Sequence, residues 1–132
     1  MATKTLDLKQ VLQHILGCNF VVDQGTSGIW NYRKWSDGTA ECWGAYSATI
    51  TAYASGVFGS GYGFQAAVNF PTGLFVNAVP IVSYTAKVGN NFALTGTLTD
   101  AFSVNTVTVY AVSTIGGSQV TVWHIMAKGR WK

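Results

Sequence analysis

Downstream of Gly17 the apolar residues of this chain recur at every second position, and that period of two limits what it can build. From Ala40 to Tyr53, the residues Cys42, Tyr46, Ala48, Ile50 and Ala52 share one face, while Glu41, Ser47, Thr49 and Thr51 share the other. Successive side chains of a strand must separate in this way. Four further runs, IVSYTAKV (81–88), FALTGTLT (92–99), VNTVTVYAV (104–112) and QVTVWHIMA (119–127), are rich in β-branched and aromatic residues, which suit a pleated, half-buried surface. GNN, DAFS and STIGGS connect them, all turn chemistry. Short strands with turn signals roughly every ten residues predict an antiparallel β-sandwich, mainly β and jelly-roll-like. At 132 residues the chain can bury one core and not two.

Only the first segment keeps a helical period. Leu8, Val11, Leu12, Ile15 and Leu16 fall at i, i+3, i+4, i+7 and i+8 and make one apolar stripe, with Thr5 as N-cap and Gly17 as stop. A helix of about a dozen residues is marginal alone. Its stripe needs a partner, either the domain's own sheet or the same helix in neighbouring subunits. Leu8, Val11, Ile15 and Cys18 also fit a heptad seam, and Leu8, Val11 and Ile15 are the candidate interface residues. The chain therefore divides into a helical stem, residues 1–18, and a β head, residues 19–132.

Composition narrows the partners. Charged residues make up 10% of the chain, against roughly 25% in an ordinary domain. A monomer with so few charges exposes much uncharged surface, and burying some of it between identical subunits is the simplest remedy. The net charge of +3 is modest and its cations are scattered, Lys128, Arg130 and Lys132 aside, which argues against a nucleic-acid stripe. Cys18 and Cys42 match no metal-ligand spacing, and a buried thiol suits the sequence better than a disulfide. ILGC (15–18) has the look of a lipoprotein cleavage site, but Asp7, Lys9, Gln10, Gln13 and His14 interrupt the segment before it. No stretch approaches the roughly 18 apolar residues of a membrane span. The expectation is a soluble chain with no signal peptide, no membrane insertion and no cofactor.

Residues 24–44, QGTSGIWNYRKWSDGTAECWG, are the most unusual stretch. Asp37-Gly38 reads as a two-residue hairpin turn, which sets Lys34 opposite Glu41, Arg33 opposite Cys42 and Tyr32 opposite Trp43. One face then carries Trp30, Tyr32, Lys34, Glu41 and Trp43. The other carries Arg33, Trp35, Cys42 and Tyr46, continues toward Ile50, and is the expected core side. The glycine-rich SGVFGSGYGF (55–64) reads as a mobile loop or as a strand in close contact with another backbone.

The stretch VVDQGTSGIWNYRKWSDGTAECWG and the closing AKGRWK resemble the C-terminal head domains of phage tail and baseplate proteins, specifically over residues 21–46 and 127–132. The resemblance implies a compact β-sandwich head, homotrimeric on a helical or fibrous stem, at the tip of a tail fibre. It implies other tail and baseplate proteins as partners, a host cell-surface glycan as receptor, and a place in the virion after assembly in the host cytoplasm. It also implies that the recurring hairpin is scaffold and that the variable middle chooses the receptor. The candidate receptor contacts therefore lie in loops 55–63, 87–91, 99–103 and 114–118: Tyr53, Phe58, Tyr62, Asn90, Asn91 and Asp100.

An enzyme is the weaker reading. Glycan-cleaving proteins use paired carboxylates, and here only Asp7, Asp23, Asp37, Glu41 and Asp100 are on offer. Asp37 and Asp100 read as turn residues, Asp7 belongs to the helix, and Glu41 is expected to pair with Lys34. His124 sits on a strand with no nucleophile motif beside it, as a core or interface histidine. GSGYG lacks the lysine and the strand-to-helix setting of a phosphate loop. The reading is non-catalytic binding of a host saccharide. The alternatives are a purely structural trimerisation knob and a stand-alone sugar-binding module.

Overall fold

The computed structural model describes residues 7–96 and 101–132, without the side chains of residues 12, 13, 15 and 16. Within these, α1 (Leu8–Leu16) precedes β1 (Val21–Ser27), β2 (Trp30–Trp35), β3 (Thr39–Thr51), β4 (Ala54–Val57), β5 (Gly61–Asn69), β6 (Ile81–Val88), β7 (Asn91–Phe92), β8 (Thr106–Ser113) and β9 (Ser118–Arg130). The strands form two antiparallel sheets, one ordered β1-β2-β3-β9-β6-β7 and the other β4-β5-β8. The spine is β3 paired with β9 without a break, from Thr39 opposite Arg130 to Thr51 opposite Ser118.

The core lies between the sheets and follows the alternation. Cys42, Trp123, Ile125 and Ala127 point inward from the large sheet and Phe64, Ala66, Val68, Val107, Val109 and Ala111 from the small one, all buried. Leu74 and Phe75, from the connection that Pro71 and Pro80 bracket, close one end of the sandwich. There Phe70 meets Phe75 edge-on at 5.1 Å between centroids and Trp30 at 5.6 Å, within the range of favourable aromatic pairs. Buried indoles need an acceptor for their N–H. Trp30 Nε1 donates to the Asn69 carbonyl at 2.7 Å and Trp123 Nε1 to the Tyr110 carbonyl at 3.3 Å.

The expected hairpin exists, with its register moved by one residue. Lys34 faces Ala40, Arg33 faces Glu41, Tyr32 faces Cys42 and Asn31 faces Trp43. The turn is three residues long, Ser36-Asp37-Gly38. Gly38 N–H donates to the Trp35 carbonyl at 3.0 Å and Gly38 adopts φ +91°, a type I turn followed by a left-handed glycine. Thr39 N–H donates to Asp37 Oδ1 at 2.8 Å, and that bond holds the Asp37 carboxyl below its ordinary range. A slip of one residue exchanges the faces of a strand. The core side is therefore the one bearing Trp30, Tyr32 and Cys42, whereas Arg33 and Trp43 face outward. Glu41 pairs with Arg33 at 3.9 Å, not with Lys34, whose partner is Asp23 at 3.8 Å.

Two other expectations change, over FALTGTLT and at the cap of the helix. FALTGTLT does not form a full strand over its described part: only Asn91 and Phe92 pair with β6, and Leu94 bridges to Val112, while residues 97–100 lie outside the described ones. In α1 the cap is Asp7, whose Oδ1 accepts from Lys9 N–H at 3.3 Å; Thr5 lies outside the described residues. Gly17, at φ +61°, ends the helix as expected. No disulfide joins the cysteines: Cys18 is exposed and Cys42 is 1% exposed.

Candidate functional site

The two ends of the sandwich differ in chemistry. At one end the chain arrives from α1: Phe20 and Ser36 exchange backbone and hydroxyl hydrogen bonds, Ser36 Oγ donates to Asn19 Oδ1 at 2.8 Å, and Trp131 N–H donates to the Gly38 carbonyl at 2.9 Å. Cations gather here. Arg33 lies over the Trp43 ring at 5.4 Å, and Lys34 and Lys132 lie over Trp131 at 5.5 and 4.9 Å, while Lys128 and Arg130 stand on the same end of β9. At the opposite end are the turns after β3, β4, β6 and β8. Ala52 N–H donates to the Gly117 carbonyl and Gly89 N–H to the Val120 carbonyl. Lys87 is the sole cation of the described strands placed there.

At this second end the outer face of the small sheet holds a depression of about 380 Å³, lined by Tyr53, Val57, Phe58, Leu94, Thr95, Gly96, Tyr110, Ala111 and Val112. Its floor is β5 and β8, where Gly63 faces Val112. Tyr53 is anchored on that floor twice. Its N–H donates to the Gly63 carbonyl at 2.9 Å, and its ring rests where a Gly63 side chain would stand, 2.8 Å from the Cβ position. Gly63 is thus a glycine of close approach to a side chain, while the close backbone contact read for the glycine-rich segment is made at Gly61, whose Cβ position lies 2.6 Å from the Val57 carbonyl oxygen. Phe58 tops the β4–β5 hairpin at φ +50° and is 85% exposed.

Tyr84 holds the far wall. Its hydroxyl donates to the Gly96 carbonyl and accepts from Tyr110 N–H at 3.2 Å. With Trp123 Nε1 on the Tyr110 carbonyl, two core side chains of the large sheet occupy the backbone of β8 where no strand pairs with it. Burial raises the Tyr84 phenol above its ordinary pKa.

Of the six candidate contacts, Tyr53 and Phe58 meet in this depression. Tyr62 does not: it turns inward against the core and beneath Gly116. Asn90 and Asn91 are exposed in the β6–β7 turn and do not line the depression. Asp100 lies outside the described residues. Leu94, Thr95 and Gly96 are not reached from the sequence, because a run read as a regular strand conceals the bend that carries them past β8, nor is Tyr110, which stands within β8 and not in a loop. Among the candidate interface residues, Leu8 is exposed in the single chain and Val11 is partly buried, while the Ile15 side chain lies outside the described residues. His124 is exposed on the outer face of the large sheet, in a shallow depression of about 650 Å³ with Trp43, Ser83, Thr85 and Met126, so it is no core histidine.

No family model and no curated protein matches the chain. Among solved structures, the R1 pyocin fibre of P. aeruginosa, represented by a C-terminal fragment, aligns over 95% of this chain at a TM-score of 0.58 and 13% identity. An N-truncated R2-type pyocin tail fibre aligns over 98% of it at a TM-score of 0.47 and 11% identity. The chain spans 32% of the first fragment and 53% of the second. The likeness is one of fold: this antiparallel β domain has the architecture of part of a pyocin tail fibre.

Proposed function

We propose that the domain is the receptor-binding head of a phage tail-fibre or baseplate protein, or of a phage-tail-like particle, and that it holds a host surface saccharide without cleaving it. The observation that carries this reading is the depression of Tyr53, Phe58 and Tyr110 on the outer face of the small sheet, at the end remote from the segment joining the helix. Aromatic faces complement the C–H faces of sugar rings, and adjacent hydroxyls supply orientation. The working assembly is a homotrimer joined to other tail proteins, located in the particle's tail tip. Asp23 and Glu41, the carboxylates nearest the aromatic hairpin, each sit in an ion pair with a cation.

Binding of the purified chain to bacterial cells, measured with and without periodate oxidation of their sugars, tests the function. Retention that periodate abolishes is the expected result, with no reducing ends released on prolonged incubation. Retention that survives periodate would remove the saccharide from the reading, and released reducing ends would remove the absence of catalysis.

A further inference from the structure

Building on that reading, we propose that the depression over Gly63 takes an uncharged sugar residue, docked by its apolar edge onto Phe58 and Leu94, and excludes anionic ones. The lining decides the class. Its side chains are aromatic, aliphatic or hydroxyl-bearing, and none is a cation. An anionic sugar entering it would shed water from a carboxylate or phosphate with no opposite charge to receive it, a loss that disfavours binding strongly. Arg33, Lys34, Lys128, Arg130 and Lys132 stand at the other end of the sandwich, and Lys87, the one cation of the described strands at this end, does not line the depression.

What the depression does offer fits a neutral ring. Among the described residues the Tyr53 and Tyr110 hydroxyls make no hydrogen bond, and both residues line the depression beside an apolar floor, where a phenol can bond a sugar hydroxyl. Phe58 adds a second observation. A bulky residue at positive φ carries backbone strain, and at 85% exposure its ring gains little burial within the chain to offset it. Strain that the fold does not use is what a binding contact leaves in the free protein. Leu94, 68% exposed and across from Val112, presents a second unused apolar surface to the same space.

The test uses the intact chain with Phe58→Gly and Gly63→Ala. Glycine at 58 removes the ring and relieves the strain, so the melting temperature should hold or rise while binding falls. Alanine at 63, where φ lies outside the left-handed region, places a methyl against the Tyr53 ring and displaces it from the floor. Each protein is applied to printed bacterial surface polysaccharides sorted into uncharged and anionic sets, and to whole cells. The expected result is binding to uncharged glycans, unchanged between about 0.1 and 1 M NaCl and weakened about tenfold or more in both variants. Variant-sensitive binding to anionic glycans that weakens with salt would overturn the ligand class and leave the proposed function intact. Glycan binding indifferent to both substitutions would overturn the site alone. Absence of binding to every glycan and every cell would overturn this inference and the proposed function together.

Discussion

Trp30 and Trp35 belong to one strand, yet the structure assigns them opposite tasks. Trp30 is 3% exposed, packs on Phe70 and satisfies its indole through Asn69; Trp35 is half-buried, and its carbonyl receives the Trp131 indole N–H at 2.8 Å. Trp30→Ala should therefore cost about 3–5 kcal/mol through a cavity and an orphaned carbonyl. Trp35→Ala should cost clearly less, since the backbone acceptor survives the substitution. Urea midpoints of the two variants decide the ordering, and the reverse order would restore the register expected from the turn dipeptide. Cys42 offers a second residue-level test. Burial pushes its thiol up to about 12, so the folded state keeps the proton that the unfolded state releases near 9. Its contribution to stability is complete below about pH 9 and is lost as pH rises toward about 12. The loss of stability over that window should be smaller in Cys42→Ala than in the parent. At pH 8, Cys42 should resist alkylation until the protein is unfolded.

At the scale of elements, the long strands were legible because each carries its own signal. IVSYTAKV is β6 residue for residue, and the Cys42–Ile50 alternation of β3 is the inward face observed. The hairpin register was not legible, for a tertiary reason. Asp37-Gly38 fits a two-residue turn locally, but Ser36 is drawn out of the ladder by Asn19 and Phe20, which are distant in sequence. Removing that tie should be felt: Ser36→Ala leaves the Phe20 N–H without its side-chain acceptor and takes from Asn19 Oδ1 one of its two donors, the Asp37 N–H remaining, and should cost about 1–2 kcal/mol. Gly38→Ala should cost at least as much, because its φ of +91° strains any side chain and the Cβ would stand 2.6 Å from an Arg130 nitrogen. Denaturant titration of both, with Thr39→Ala as a control that keeps the Ser36 contacts, separates the tertiary tie from the turn itself. The bend at residues 93–96 escaped notice for the same kind of reason. Tyr84, on another strand, is what holds Gly96, and no local pattern in FALTGTLT announces it.

For the whole molecule, the two ends of the sandwich differ in chemistry, and the proposed assembly would give each a place. The end with Asn19, Ser36 and Trp131 receives the chain from a helix whose Leu8 is 70% exposed. The opposite end presents the aromatic depression. Between them the outer face of the large sheet exposes Ile81, Val120 and Met126 at 83%, 56% and 62%, in a chain with only 10% charged residues. Exposed apolar side chains on so weakly charged a face are suited to burial between subunits. Self-association around an axis running from end to end would cover it, bring the helices together and leave the depressions facing out. On the proposed homotrimer, light scattering on a sizing column should give about three times the chain mass of 14.1 kDa. Met126→Asp should shift the population toward monomer, because a carboxylate buried without a partner is strongly disfavoured. Because Met126 is exposed in the single chain, that substitution should leave the unfolding free energy of the isolated monomer within about 0.5 kcal/mol of the parent's. A parent protein that stays monomeric as its concentration rises would leave the apolar face to a different protein of the tail. Met126→Asp would then change neither mass nor glycan binding.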